Sequence, residues 1–143
     1  PERAGGLPSG DLIDMCYSGK YTRAEAYRKI LGNGGFNAYL GCNDMRTIGQ
    51  MAEEGNQEAA NLLAAFILQI SKDVGAMACV LKGNIDQIIL TGGIAYNPSV
   101  VPGLKERISF LAPITVYPGE NELLALAQGG LRIMTGQERA KVY

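Results

Sequence analysis

The sequence predicts an α/β fold, helix-rich at first and closing on a parallel β-α-β-α unit. Three observations predict it. Apolar residues recur at helical spacing through Leu62, Leu63, Phe66, Ile67, Ile70, Val74, Met77, Ala78 and Leu81. The period then changes, because Gln87-Ile88-Ile89-Leu90-Thr91 is a short apolar run ending in Gly92-Gly93, as a buried parallel strand would be. A second such run, Ile114 to Tyr117, follows after one intervening helix, and a right-handed crossover makes the two strands parallel.

The elements follow in order. After the Gly5-Gly6-Leu7-Pro8 turn, Ser9 can cap a short helix reaching about Tyr17. Thr22 and Glu25 have capping-box spacing and open a helix that ends near Gly32. Gly32-Asn33-Gly34-Gly35 demands a loop, and Ala38 to Gly41 reads as a short extended piece. Asn43 or Asp44 can cap a helix to Gly55, and Asn56 caps the long one, which reads as buried nearly all round and ends at Gly83-Asn84. Strand Gln87–Thr91, helix Ser99–Leu111, strand Ile114–Tyr117, the Pro118-Gly119 turn and a helix from about Asn121 to Met134 complete the unit. Residues 1–83 are thus mainly helical, 84–135 form the β-α-β-α unit, and 136–143 are a loose tail. Both strands carry apolar residues on both faces and read as central strands, yet two strands are too few for an independent sheet. The chain also opens on Pro1-Glu2-Arg3 without a methionine. It reads as a piece of a longer protein, although initiator removal or a lost leader leaves the same start.

Composition removes whole classes of function. The 143 residues are 47% hydrophobic and 19% charged with a net charge of −1, so nothing draws the chain to nucleic acid or an anionic membrane. The apolar stretch from Leu62 to Leu81 is interrupted by Gln69, Ser71, Lys72 and Asp73, which predicts a buried helix rather than a bilayer span. Cys16, Cys42 and Cys79 are odd in number and show no metal-binding spacing, and a reducing cytoplasm is the simplest compartment. There is no histidine, which excludes a Ser-His-Asp triad, a Cys-His pair, a phosphohistidine and any His-built zinc site within the chain. Chemistry here falls to carboxylates, arginines, backbone amides or a borrowed metal.

One motif points to a ligand. Glycines at the carboxyl end of a parallel strand let a bound molecule approach the backbone, and open α/β sheets gather ligands at that edge. Gly92 and Gly93 stand there, although a tight strand-to-helix turn with no ligand would look the same. The run is not a phosphate-binding P-loop, since no Gly-Lys-Ser or Gly-Lys-Thr follows.

Leu90-Thr91-Gly92-Gly93-Ile94-Ala95-Tyr96-Asn97 resembles the adenosine motif of the acetate and sugar kinase and actin superfamily. It is similar to the FTGGIGEN run of the acetate kinase family within it. Ala38-Tyr39-Leu40-Gly41-Cys42-Asn43-Asp44-Met45-Arg46 resembles that family's S-x-D-x-R segment, which lines the adenine and ribose pocket. Val116 to Leu123, with Ala125, Ala127, Gly129 and Leu131 after it, and the opening Glu2 to Leu12 resemble the butyrate kinases of the family. The matches span the chain in order. They imply part of a ribonuclease-H-like, actin-type ATPase domain.

The resemblance also implies roles. Gly92, Gly93 and Ile94 would flank the adenosine, Asn97 would close the motif, and Gly41, Asn43, Asp44, Met45 and Arg46 would form the pocket, with Asp44 and Arg46 as polar anchors and Met45 on the base. Asp44 reads equally as a plain helix N-cap. The family's T-[DN]-E-E-L turn has an acidic residue that organises magnesium. Here Asn121 stands in that place, which leaves two readings: either Glu120 takes the role through a shifted turn, or the turn offers only Glu122, a first-turn helix carboxylate favoured by the dipole. The family's catalytic arginine precedes its x-G-D run, where this chain has Pro8. Arg3 is the nearest cation, either swung in by the Gly5-Gly6 turn or merely an exposed terminal arginine.

The activity implied is phosphoryl transfer between ATP and butanoate, giving ADP and butanoyl phosphate, with magnesium as cofactor. An acetate or propionate kinase, or a non-catalytic nucleotide-binding domain, are the alternatives, and Ala95-Tyr96 in place of Gly-Glu favours the butyrate branch. Neither Asp-Gly phosphate loop of the superfamily occurs in the chain. The expectation is therefore an adenosine half-site, inactive alone, whose partners are a short-chain carboxylate, the missing half of the enzyme and, through its bare strand edge, further copies of itself.

Overall fold

The computed structural model describes residues 1–141. Among the described residues seven α-helices and two strands follow one another: α1 Ser9–Tyr17, α2 Arg23–Ile30, α3 Gly35–Leu40, α4 Met45–Glu53, α5 Gln57–Val80, β1 Ile88–Gly92, α6 Val100–Ile108, β2 Ile114–Pro118 and α7 Glu122–Met134. A 3₁₀ turn, Gly93–Tyr96, links β1 to α6.

Local chemistry accounts for most boundaries. Thr22 and Glu25 form the reciprocal capping box, with the Thr22 amide donating to Glu25 Oε2 at 2.7 Å and the Glu25 amide donating to Thr22 Oγ1 at 3.3 Å. Asn56 Oδ1 accepts from the Ala59 amide at 3.0 Å and starts α5. At α1 the expectation is corrected, since Pro8 occupies the cap and Ser9 is the first helical residue, with no side-chain cap bond. Proline's fixed φ needs no amide donor there.

The core is the contact of α4, α5 and α6. Ile48, Ala59, Leu63, Ile67, Val100, Leu104 and Ile108 are buried together. Gly103 lets α6 approach α5, because a Cβ there would stand 2.8 Å from Ile67 Cδ1. Phe36 is buried against this core, edge-on to Phe66 with ring centroids 5.3 Å apart. That contact explains a second correction. Of residues 38–41, read as extended, 38–40 belong to α3, which buries Phe36, and Gly41 caps it at φ +62°.

β1 and β2 pair in parallel, in register from Ile88 opposite Ile114 to Gly92 opposite Pro118. Ile88, Leu90 and Ile114 pack against the helical core, while Ile89 and Tyr117 are exposed on the strands. Among the described residues the strands form a two-stranded sheet with one covered face and one open face. Helix α5 departs from the expectation. It is long and apolar enough to cross a membrane by length and composition, but Leu63 and Ile67 build the core while Met77, Val80 and Leu81 are exposed. No residue of α7 is buried, and Leu123, Leu126 and Met134 lie open. Arg132 Nε donates to Glu138 Oε2 at 3.0 Å, which ties the start of the expected loose tail to α7; residues 142 and 143 lie outside the described residues.

Candidate functional site

Strand β1 ends at Gly92, whose φ of +86° turns the chain into the 3₁₀ turn. Beyond β2, Gly119 has φ +97° and returns to it: Gly119 donates its amide to the Gly92 carbonyl at 3.1 Å, and Gly92 donates to the Gly119 carbonyl at 3.2 Å. This exchange closes the carboxyl edge of the sheet and sets Glu120 beside the glycines.

The opposite wall is the start of α4. Asp44 caps the helix, with Oδ1 accepting from the Arg46 amide at 2.9 Å. The Arg46 guanidinium folds back on the same carboxylate, Nε to Oδ1 at 3.0 Å and Nη2 to Oδ2 at 2.7 Å. The bidentate side-chain bond to Arg46, then its backbone amide, holds the Asp44 carboxyl down at about 2 and pushes the Arg46 guanidinium up. The pair is open to water, with Arg46 92% exposed.

Asn97 joins the two walls. It is a buried polar residue, 8% exposed, and its Nδ2 donates to the Met45 carbonyl at 2.9 Å. Its Oδ1 accepts from the amides of Ser99 at 3.0 Å and Val100 at 3.1 Å, which starts α6. Gly49 admits this packing, since a Cβ there would stand 3.2 Å from Asn97 Nδ2.

Between the walls lies a cleft of about 680 Å³, a size within the roughly 300–1,000 Å³ usual for small-molecule sites. Asn43, Asp44, Met45 and Arg46 line one side, and Gly93, Ile94, Asn97 and Glu120 line the other. Met45 reaches it from the core, where its side chain is buried, and the Asn43 amide is turned to Glu2 Oε2 at 3.2 Å. Gly92 is not a lining residue, although Glu120 Oε1 stands 4.0 Å from where its Cβ would be. Gly41 is the C-cap of α3 rather than a wall residue. Arg3 is not brought in either. Its backbone bridges Leu31, the Glu2 carbonyl accepts from the Gly32 and Gly34 amides, and Arg3 is exposed and is not a lining residue of the cleft.

Pro1, Gly49, Gln50, Glu53 and Pro98 also line the cleft and escaped the sequence reading, and Tyr96, quoted there only as part of the motif, lines it too. The α4 residues had a signal, since Arg46, Gly49, Gln50 and Glu53 share one helix face at three- and four-residue spacing. Among the described residues no group of three or more cysteine, aspartate or glutamate side chains is gathered to hold a metal. The donors at the cleft suit a magnesium ion that draws most of its oxygens from a ligand and water, with Glu120 as the one carboxylate at the glycine edge.

A family model described as the acetokinase family matches residues 12–142. The chain belongs to that family. Over all 143 residues this acetokinase-family chain is 54% identical to a protein named "Probable butyrate kinase" in Clostridium botulinum, and 52% identical to "Butyrate kinase 2" of Clostridium acetobutylicum. It spans 40% of the length of each of these relatives. Its structure is similar to that of Porphyromonas gingivalis acetate kinase, with a TM-score of 0.80 over 93% of this chain and 40% of that one at 19% identity. Entamoeba histolytica acetate kinase gives a TM-score of 0.75 over 93% of this chain and 41% of that one at 17% identity. The acetate kinase resemblance and the actin-type fold read from the motifs are thereby borne out.

Proposed function

We propose that the chain supplies the adenosine side of the nucleotide site of a butyrate kinase, which exchanges a phosphoryl group between ATP and butanoate to give ADP and butanoyl phosphate. The observation that carries the reading is the cleft itself: the Asp44–Arg46 pair on the first turn of α4 faces the Gly93-Ile94 turn at the carboxyl end of β1. The whole-length identity to butyrate kinases supports the choice of acyl group.

In this reading Gly93 and Ile94 form the floor on which the nucleoside lies, since the glycine leaves open space above its backbone. Arg46 and Asp44 offer charged hydrogen-bond partners to ribose and base, and Met45 supports that wall from beneath. Asn97 holds the two walls at their spacing rather than spending its amide on the ligand. Glu120 would hold magnesium together with the nucleotide phosphates, and the ion would neutralise charge on the transferring phosphoryl group. Phosphoryl transfer depends on positioning and fixed charge, and no nucleophile of this chain has to be activated. The carboxylate substrate and the phosphate loops belong to the remainder of the enzyme.

The test is a titration of magnesium-ADP into isotopically labelled chain, followed through the backbone amides. Saturable shifts at Asp44–Arg46 and Gly93–Asn97 are expected. A folded chain whose amides there do not move at millimolar nucleotide would rule out a preformed adenosine site.

A further inference from the structure

Tyr96, the last residue of the 3₁₀ turn, stands against Gly119. A Cβ on Gly119 would lie 2.8 Å from Tyr96 Oη, 3.4 Å from Cε2 and 3.5 Å from Cζ, so the phenol occupies the space where any other residue would carry its side chain. Gly119 also has φ +97°, a conformation that excludes most other residues on backbone grounds. Its amide and carbonyl are engaged by the reciprocal pair of hydrogen bonds with Gly92. The turn is thus held between a strand end and a ring.

Glu120 is the next residue. Its Oε1 lies 4.0 Å from where a Cβ on Gly92 would stand, and Glu120 and Tyr96 line the same cleft. Where the carboxylate sits depends on the backbone of Gly119, and a glycine is the least constrained residue that could precede it. The hydrogen bonds to Gly92 restrain its amide and carbonyl. The Tyr96 ring stands on the side where a Cβ would project, which no side chain of Gly119 itself fills. Tyr96 is 70% exposed and adds little to the core, so its placement is not explained by folding.

We propose that Tyr96 is a positioning residue for Glu120: it blocks the free side of Gly119 and so keeps the Glu120 carboxylate over the Gly92–Gly93 edge, where the divalent cation of a bound nucleotide needs an oxygen ligand. The cation part rests on the nucleotide reading above; the positioning part does not. The ring, rather than the hydroxyl alone, forms the block, because Cε2 and Cζ are themselves in contact range.

The test compares the chain with its Tyr96→Ala and Tyr96→Phe variants. Without ligand, the amide order parameter of Glu120 is expected to fall in Tyr96→Ala from about 0.85, typical of rigid backbone, toward about 0.6, and to be kept in Tyr96→Phe. The amides of α5 and α6 should not change, which separates a local role from a folding defect. Manganese with ADP then reads the cation by paramagnetic broadening at Gly92 and Glu120. Tyr96→Ala should need about ten-fold more manganese, the effect usual for a residue that orients a metal ligand. An unchanged Glu120 order parameter in Tyr96→Ala would overturn the proposal, whatever nucleotide does. Loosening of Glu120 in that variant, with no broadening by manganese-ADP even in the parent chain, would uphold the positioning and overturn the nucleotide reading.

Discussion

Asn97 Nδ2 donates a 2.9 Å hydrogen bond to the carbonyl of Met45, a residue 52 positions earlier in the chain. One buried amide thereby links the first turn of α4 to the start of α6, and it fixes the distance between the two walls of the cleft.

Replacing that amide tests the link. Asn97→Ala removes the side-chain partner of the Met45 carbonyl and of the Val100 amide, both buried, and of the Ser99 amide, and should cost about 1–3 kcal/mol. Chemical denaturation measures the loss. The Asp44 and Arg46 amides should shift in the same variant, and if they stay in place the walls are held by something else.

The Asp44 carboxyl titrates near 2 because Arg46 binds its ionised form. A carboxyl depressed in the folded state stabilises the fold above its ordinary value of 3.8, and that contribution disappears as pH falls through about 2. Asp44→Asn keeps a competent N-cap and removes the charge. The stability advantage of the parent chain over this variant should therefore be present at neutral pH and vanish between pH 3.8 and about 2. Salt should reduce it, because the pair is open to solvent. Melting curves across that range decide the matter, and an advantage that persists below pH 2 would refute it.

The crossing of α5 and α6 depends on Gly103 facing Ile67. Gly103→Val should destabilise by about 1–3 kcal/mol through overpacking. Gly103→Ala should be milder, since Ile67 Cδ1 can move and alanine gains about 1 kcal/mol of helix propensity over glycine. Adding Ile67→Val should favour the alanine variant more than the parent, a coupling that a double-mutant cycle reads directly. Additive effects would mean the two residues do not share that space.

Self-association is the expected behaviour of the 143-residue chain. Ile89 on the sheet and Leu123 and Leu126 on α7 are exposed apolar surface, and each strand of a two-stranded sheet has an unpaired edge. Sedimentation should show dimers or larger species, reduced by Leu123→Glu with Leu126→Glu. A clean monomer of the parent chain at high concentration would contradict this.

The chain by itself should not turn over butanoate. On the proposed reading it supplies the adenosine side of the site alone, and no Asp-Gly phosphate loop occurs in its sequence. A hydroxamate assay for acyl phosphate should stay at background with magnesium-ATP and butanoate, and measurable turnover would show that the site is more complete than proposed.

Local signals determined much of this molecule in advance. The Thr22–Glu25 box, the Asp44 and Asn56 caps, the change of period at Gln87 and the glycines at the end of β1 act within a few residues, so the chain shows them without its fold. Most of the cleft's lining was legible for the same reason, as two short motifs contribute it. Only tertiary contact decided the rest. Phe36 meets Phe66 from α3, a helix where residues 38–41 had read as an extended piece. The bedding of Glu2 on the Gly32–Gly34 amides kept Arg3 out of the cleft, and Tyr96 came to rest on Gly119 across 23 positions of chain (119 − 96). Periodicity reports which faces of an element are apolar. What each face meets is set by packing between residues distant in sequence, and that is why the open sides of α5, α7 and the sheet appeared only in the folded chain.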